Sequence, residues 1–295
     1  MRLKLIANPA AGRYGRAKIA RAEGWLRRQG AEVDLTLTGA RGDARSAAAR
    51  ARQEGFDRVI AAGGDGTLNE VINGLAPSAI PLAFLPLGTA NLFALETGIP
   101  FAIEPACAVA LHGEPRPVCL GLAGETRFVL MAGIGFDAQV VYGLNLRLKR
   151  WTGKLAYLAG ALGCLLRGAP QPIEVEAEDG RRFSGYGAIV ANCRAYAGRF
   201  TFTPQASLTA NSLELCLLQG AGRLGVLRAA ARLAAGLPPG AGALCLPGRR
   251  FLLRGAGVPV QIDGDFLGRL PLAIEARCGE LQMVFPAGYG ERRKQ

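Results

Sequence analysis

Four times in its first hundred residues the chain repeats one pattern: a short apolar run, a loop of small and polar residues, then a helical stretch. Leu3 to Ala7, Val33 to Thr38, Arg58 to Ala62 and Pro81 to Leu85 read as strands. Ala17 to Gln29, Gly42 to about Glu54 and Leu68 to Leu75 read as helices, the first with Ile19, Ala22 and Leu26 along one side. Strands that alternate with helices pair in parallel and are covered on both faces. Ligands of such sheets sit beyond the C-terminal strand ends. The loops at Asn8, Thr38, Asp65 and Thr89 all follow strands, so they are expected to converge on one crevice.

The most informative of these loops is Gly63-Gly64-Asp65-Gly66-Thr67-Leu68-Asn69-Glu70. A glycine-rich turn between a strand and a helix leaves backbone N–H groups to face phosphate oxygens, and the helix dipole adds to the attraction. Thr67 and Glu70 have the spacing of a capping box, which starts the helix at Leu68. A carboxylate beside phosphates is repelled unless a cation intervenes, so Asp65 is expected to engage the Mg²⁺ that accompanies a nucleoside triphosphate. The competing reading is an ordinary Asp-Gly turn, which needs neither the glycine pair nor a capped helix.

Composition narrows the partners. The chain has 295 residues, half of them hydrophobic, enough for two cores. Lys and Arg number 35 against 23 Asp and Glu, a net charge of +12 that favours a polyanion such as nucleotide phosphate or an anionic membrane surface. No basic–aromatic stacking pattern accompanies that charge, which argues against nucleic acid. A single histidine, His112, in a Gly- and Pro-containing connector, excludes a His-dependent triad or a His-rich zinc site. The seven cysteines (Cys107, Cys119, Cys164, Cys193, Cys216, Cys245, Cys278) are scattered and form no Cys-x-x-Cys pair. They read as buried thiols in a reducing, cytoplasmic setting. No secretory signal is visible, and the longest apolar run, Leu155 to Leu166, falls short of the roughly 20 residues that span a bilayer.

Beyond about Pro115 short β-like runs take over: Phe128 to Met131, Ile173 to Glu176, Gly187 to Val190, Leu213 to Leu218, Phe251 to Leu253, Val258 to Ile262 and Leu281 to Phe285. Turn residues separate them, as in a mainly antiparallel sandwich, with helical segments at Leu155 to Leu166 and Leu224 to Ala235. The expected fold is therefore α/β. An N-terminal parallel-sheet nucleotide-binding domain spans residues 1–114, and a C-terminal β-sandwich domain spans 115–295, its terminal strand able to return to the first.

Asn8-Pro9-Ala10-Ala11-Gly12, Gly64-Asp65-Gly66-Thr67 with Asn69-Glu70, and Pro86-Leu87-Gly88-Thr89-Ala90-Asn91 together resemble the diacylglycerol kinase catalytic family, most of all its bacterial soluble lipid kinase branch related to sphingosine and ceramide kinases. Gly133-Ile134-Gly135-Phe136-Asp137, Lys154-Leu155-Ala156-Tyr157 and Ile262-Asp263-Gly264-Asp265 look like further landmarks of that family. The resemblance implies an NAD kinase- or phosphofructokinase-like first domain. It implies ATP as phosphoryl donor with Mg²⁺, held by Thr38, Gly64, Asp65, Gly66, Thr67, Leu68, Asn69, Glu70 and Thr89. Thr38 also reads as a plain strand end, and Thr89 as the N-cap of the next helix.

Asp265 matches the position where many relatives carry a glutamate that accepts the proton of the lipid hydroxyl. Aspartate is one methylene shorter, about 1.5 Å less reach. The competing reading of Asp263-Gly264-Asp265 is a hairpin turn. Ala210-Asn211 stand where relatives have Asp-Gly at a secondary cation site, and Ala210 offers no side-chain oxygen. Ala197-Gly198-Arg199 replaces a more glycine-rich run. The implied activity is phosphorylation of a membrane lipid such as diacylglycerol, at the membrane surface, by a peripheral protein with a homodimer left open. Two alternatives remain: a kinase of a soluble alcohol such as NAD, and a nucleotide- or lipid-binding module without turnover.

Overall fold

A computed structural model describes residues 1–135, 171–196, 200–220 and 242–290, with isolated positions between 225 and 240. The expected helix Leu155 to Leu166, most of Leu224 to Ala235, Trp151, the Lys154 to Tyr157 landmark, Phe136, Asp137 and Ala197 to Arg199 lie outside the described residues. The chain divides into two compact units, Met1–Leu120 with Cys278–Gln295, and Gly121–Arg277.

Unit 1 holds strands β1 (Arg2–Ala7), β2 (Glu32–Leu37), β3 (Arg58–Gly63), β4 (Leu82–Pro86) and most of β5 (Glu114–Ala123). Its helices are α1 (Gly15–Arg28), α2 (Asp43–Ala51), α3 (Asp65–Leu75), α4 (Leu92–Thr97) and α5 (Ile103–His112). The strand order β2-β1-β3-β4 is parallel throughout. β3 and β4 are buried along their whole length, as expected for strands covered on both faces. Ile19, Ala22 and Leu26 are the inward stripe of α1. Charged groups inside this unit are paired. Lys4 Nζ meets Asp34 at 3.0 Å, and Arg58, buried, donates to the carbonyls of Ala110 and Gly113 at the end of α5. His112 is the last residue of that helix rather than part of a connector.

Unit 2 holds β6 (Thr126–Phe128), β7 (Met131–Gly135), β8 (Ile173–Ala177), β9 (Arg182–Gly185), β10 (Gly187–Ala191), β11 (Ala195–Tyr196) and β12 (Phe200–Thr201). It continues with β13 (Leu213–Leu218), β14 (Ala243–Gly248), β15 (Arg250–Arg254), β16 (Pro259–Ile262), β17 (Asp265–Arg269) and the first part of β18 (Leu272–Phe285). One sheet runs β14-β13-β10-β7-β16-β17, antiparallel at every step. Against it lie β8, β9, β15 and the start of β18, also antiparallel. Alternate residues of both layers, among them Ala132, Ile134, Val190, Leu213, Leu215, Val175, Phe251 and Ile274, interlock in one core. This is the mainly antiparallel sandwich expected from turn spacing.

The end of β18 belongs to unit 1, where Met283 pairs with Leu82 of β4 in parallel. There Phe285 extends an aromatic row from Phe84 through Phe93 to Tyr289, with ring centroids 5.8, 6.4 and 4.1 Å apart. Cys119 of β5 and Cys278 of β18 are joined by a disulfide across 159 residues. That corrects the reading of all seven cysteines as buried thiols, since scattered positions conceal partners that meet only across strands. Cys107 is a buried thiol, pushed up to about 12 by desolvation and the nearby Glu104.

Candidate active site

The loops that follow β1, β2, β3 and β4 meet at the C-terminal edge of the unit 1 sheet. Asn8 N–H donates to Ala62 O at 2.9 Å, and its side-chain amide lies 3.5 Å from Thr67 Oγ1. Thr38 N–H donates to Ala7 O at 2.9 Å. Gly42 N–H donates to Glu70 Oε2 at 3.0 Å, while Asp43 Oδ2 takes the N–H groups of Gly39 and Ala40. Those two bonds hold the Asp43 carboxyl below the usual aspartate range. The β3 and β4 loops touch through backbone alone: a Cβ on Gly88 would lie 2.6 Å from Gly64 Cα. No residue but glycine fits there. Asn91, buried and left-handed at φ 49°, closes the β4 loop by accepting from Gly88 N–H at 3.0 Å and donating to Gly88 O at 2.9 Å.

Helix α3 begins at Asp65, three residues earlier than the capping-box spacing implied. Gly64, extended at φ −94°, is the N-cap and no side chain caps the helix. Thr67 and Glu70 have turned to tertiary partners, Asn8 and Gly42, so they staple loops together rather than close a local box. The first intrahelical bond is Leu68 N–H to Gly64 O. The preceding N–H groups, residues 65–67, therefore point out of the helix N-terminus toward the meeting loops, the geometry that receives phosphate.

Asp65 does something composition did not suggest. Its Oδ2 accepts from Leu92 N–H at 3.0 Å and its Oδ1 from Phe93 N–H at 3.1 Å. The carboxylate caps α4 from the first residue of α3, an arrangement with no trace in local spacing. Thr89 is exposed and is not the N-cap of α4, a place held by Asn91. Thr38 is half-buried just after β2. Leu68 is fully buried, so its side chain serves the core, and Asn69 accepts from Asn73.

Asp265 lies in unit 2 as the first residue of β17, exposed. The turn before it is built with care. Asp263 and Gly264 both have positive φ, 46° and 94°, the conformation of a tight two-residue hairpin. Asp263 Oδ1 accepts from Leu130 and Met131 N–H at 3.0 and 2.9 Å, and Oδ2 from Val129 N–H at 3.0 Å. Gly264 N–H donates to Oε1 of the buried Gln261 at 2.8 Å. Asp263 is thus an anchor that sets the position of Asp265, a role that the Asp-Gly pair hinted at only as a turn. The Pro204 to Asn211 loop is held by Glu214, buried on β13, which accepts from Gln205 N–H at 2.8 Å. Desolvation pushes the Glu214 carboxyl up.

Residues 2–123 match the diacylglycerol kinase catalytic domain, and residues 131–285 match the YegS C-terminal NAD kinase beta sandwich-like domain. A protein named probable lipid kinase YegS-like from Pseudomonas putida is 34% identical over 278 residues, 90% of each chain. A diacylglycerol kinase from Bacillus subtilis is 34% identical over 235 residues, 78% of this chain and 77% of its own. The chain belongs to the diacylglycerol kinase family. Within it the chain falls in the bacterial lipid kinase branch, and it is a kinase. The fold is shared with a diacylglycerol kinase from Bacillus anthracis, TM-score 0.77 at 21% identity over 98% of both chains. It is shared more distantly with an NAD kinase from Archaeoglobus fulgidus solved with ATP, TM-score 0.53 at 17% identity over 100% of this chain and 96% of that one.

The loops that carry the resemblance in the sequence are the ones that meet in unit 1, and all lie within the residues matched by the diacylglycerol kinase catalytic domain. A nucleoside triphosphate fits them: the Gly64–Gly88 backbone contact leaves no side chain in the way, and a helix N-terminus faces the loops. Side chains for a protein-built metal cage are a poorer match. Among the described residues no three His, Cys, Asp or Glu gather, and Asp65 is committed to two amides. No helix among the described residues is long and apolar enough to cross a membrane.

Proposed function

We propose that this kinase transfers the γ-phosphoryl group of ATP to the hydroxyl of a membrane lipid such as diacylglycerol. The observation that carries the reading is the junction of the β1, β3 and β4 loops around the α3 N-terminus, in a chain of the lipid kinase branch. Gly64 to Thr67 and Gly88 offer backbone to the phosphates, and Thr67, Thr89 and Thr38 offer hydroxyls near the nucleotide. Asp65 and Glu70 keep these loops in register through Leu92, Phe93 and Gly42. Mg²⁺ accompanying the nucleotide would supply charge neutralisation on the phosphates.

Asp265 accepts the hydroxyl proton as the O–P bond forms. The turn that carries it is anchored by Asp263, whose carboxylate accepts from the backbone N–H groups of Val129, Leu130 and Met131. Phosphoryl transfer draws most of its rate from such positioning and charge neutralisation. The lipid substrate places the protein at the membrane surface as a peripheral enzyme, with its excess of cations facing anionic headgroups.

The test is a screen of γ-labelled ATP against a total lipid extract, with NAD in a parallel reaction. Label in a neutral glycerolipid and none in NAD is the expected result. Label in NAD alone would replace this reading with a soluble-alcohol kinase, and no label in any acceptor, with ATP still bound, would replace it with a binding module.

A further inference from the structure

We propose that Cys216 and Cys245 form a thiol–disulfide pair, a redox modification site of unit 2 outside the nucleotide loops. Cys216 of β13 and Cys245 of β14 are direct partners in the antiparallel register. Their sulfurs lie 2.9 Å apart. A disulfide bond is about 2.05 Å long, so closure asks for about 0.9 Å of movement, within reach of side-chain torsions alone. The backbone has already done the alignment.

Access is asymmetric in the way a two-step exchange needs. Cys245 is exposed, on a strand at the edge of its sheet, whereas Cys216 is buried. The thiol that a soluble oxidant meets first is therefore Cys245, and the one that waits behind it is Cys216. Cys216, hydrogen-bonded to its neighbour and desolvated, is pushed up and stays a thiol until its partner has reacted. Attack by a thiolate is the productive step of exchange, and the exposed sulfur is the one that a reagent can reach, so Cys245 is the nucleophile.

A small-molecule disulfide such as oxidised glutathione supplies the oxidising equivalents. Cys245 thiolate attacks one sulfur of the reagent, the reagent's S–S bond breaks, and one thiolate leaves and takes up a proton. Cys216 then gives up its proton and attacks Cys245 Sγ in the mixed disulfide, expelling the second thiolate. Two protein thiols become one disulfide, and one reagent disulfide becomes two thiols. The product staples the edge strand β14 to β13, the strand whose Glu214 holds the Gln205 loop.

Native full-length protein treated with oxidised glutathione, digested by trypsin without reduction and mapped by mass spectrometry tests this directly. Peptides 200–223 and 233–249 should appear joined, two hydrogens lighter than their sum and separable by dithiothreitol. Alkylation of Cys245 by iodoacetamide should fall at least tenfold after oxidation. In Cys216→Ser the glutathione adduct should persist on Cys245. A wild-type protein whose Cys245 stays glutathionylated, or stays unmodified, without joining Cys216 overturns the proposal, and that wild-type result decides even if the variant does not fold.

Discussion

At the scale of single residues, the two aspartates of the hairpin have opposite duties. Asp263 receives three backbone N–H groups, and Asp265 stands exposed at the head of β17. Asp265→Asn should lower phosphoryl transfer at least a hundredfold while nucleotide affinity stays within about twofold, because removal of a general base costs on the order of 10²–10⁴ in rate. Steady-state kinetics beside fluorescent-nucleotide titration reads both. Wild-type turnover in Asp265→Asn would withdraw the role. Asp263→Ala should also depress kcat, but with a melting temperature several degrees lower, since three amides lose their acceptor and buried polar groups left unpaired cost about 1–3 kcal/mol each. Asp65→Ala belongs to the same class. It should destabilise unit 1 by about 2 kcal/mol through the loss of the α4 cap and raise KM for ATP, whereas Asp65→Asn should recover part of the stability because one oxygen still accepts.

At the scale of elements, Glu214 gives a pH test whose sign is set. Burial raises its folded pKa above the ordinary value of 4.5. An acid with a raised folded pKa contributes stability that is full below the unfolded value and lost as pH rises through the folded one. Glu214→Gln cannot titrate, so thermal melts from pH 4 upward should show wild type losing ground to the variant, then a constant gap once the carboxyl is ionised in both states. A gap that does not change with pH would remove Glu214 from this account. The same elements show what could be read in advance. β13 was legible as Leu213 to Leu218 because five of its six residues are apolar and turn residues flank them. The strand–loop–helix units of the first hundred residues were legible from periodicity, and so was the meeting of their loops, because parallel sheets put all such loops at one edge. Not legible was the start of α3. Thr67 and Glu70 satisfy a local rule, but Asn8 and Gly42, brought close by the sheet, win both side chains. β14 and β17 escaped notice because Pro247 and Gly268 interrupt their alternation. The Asp65 cap of α4 and the Cys119–Cys278 bridge join segments 27 and 159 residues apart, and neither separation leaves a mark in a window of ten.

At the scale of the whole molecule, the +12 net charge is the property that no single loop explains. Some of its cations are spent internally, as Lys4 on Asp34, Arg58 on the end of α5, and Arg27 on Glu23. Others stand exposed, among them Arg13 and Arg16 beside the β1 loop and Arg45 on the first turn of α2. Isolated exposed ion pairs contribute little to stability. The membrane-surface role proposed above would give this excess a use, since each basic residue near an anionic membrane is worth about 1 kcal/mol and the attraction decays within a Debye length. That length is about 10 Å at 0.1 M salt and about 3 Å at 1 M. Co-sedimentation with phosphatidylglycerol-rich vesicles should therefore be strong at low ionic strength and at least tenfold weaker in about 0.5 M NaCl, with no pelleting on phosphatidylcholine alone. Turnover of lipid presented in vesicles should fall in parallel, while turnover of the same lipid in neutral detergent micelles should change far less. Vesicle binding that ignores salt would mean that apolar insertion, by exposed side chains such as Leu95 and Phe101, holds the enzyme at the surface instead.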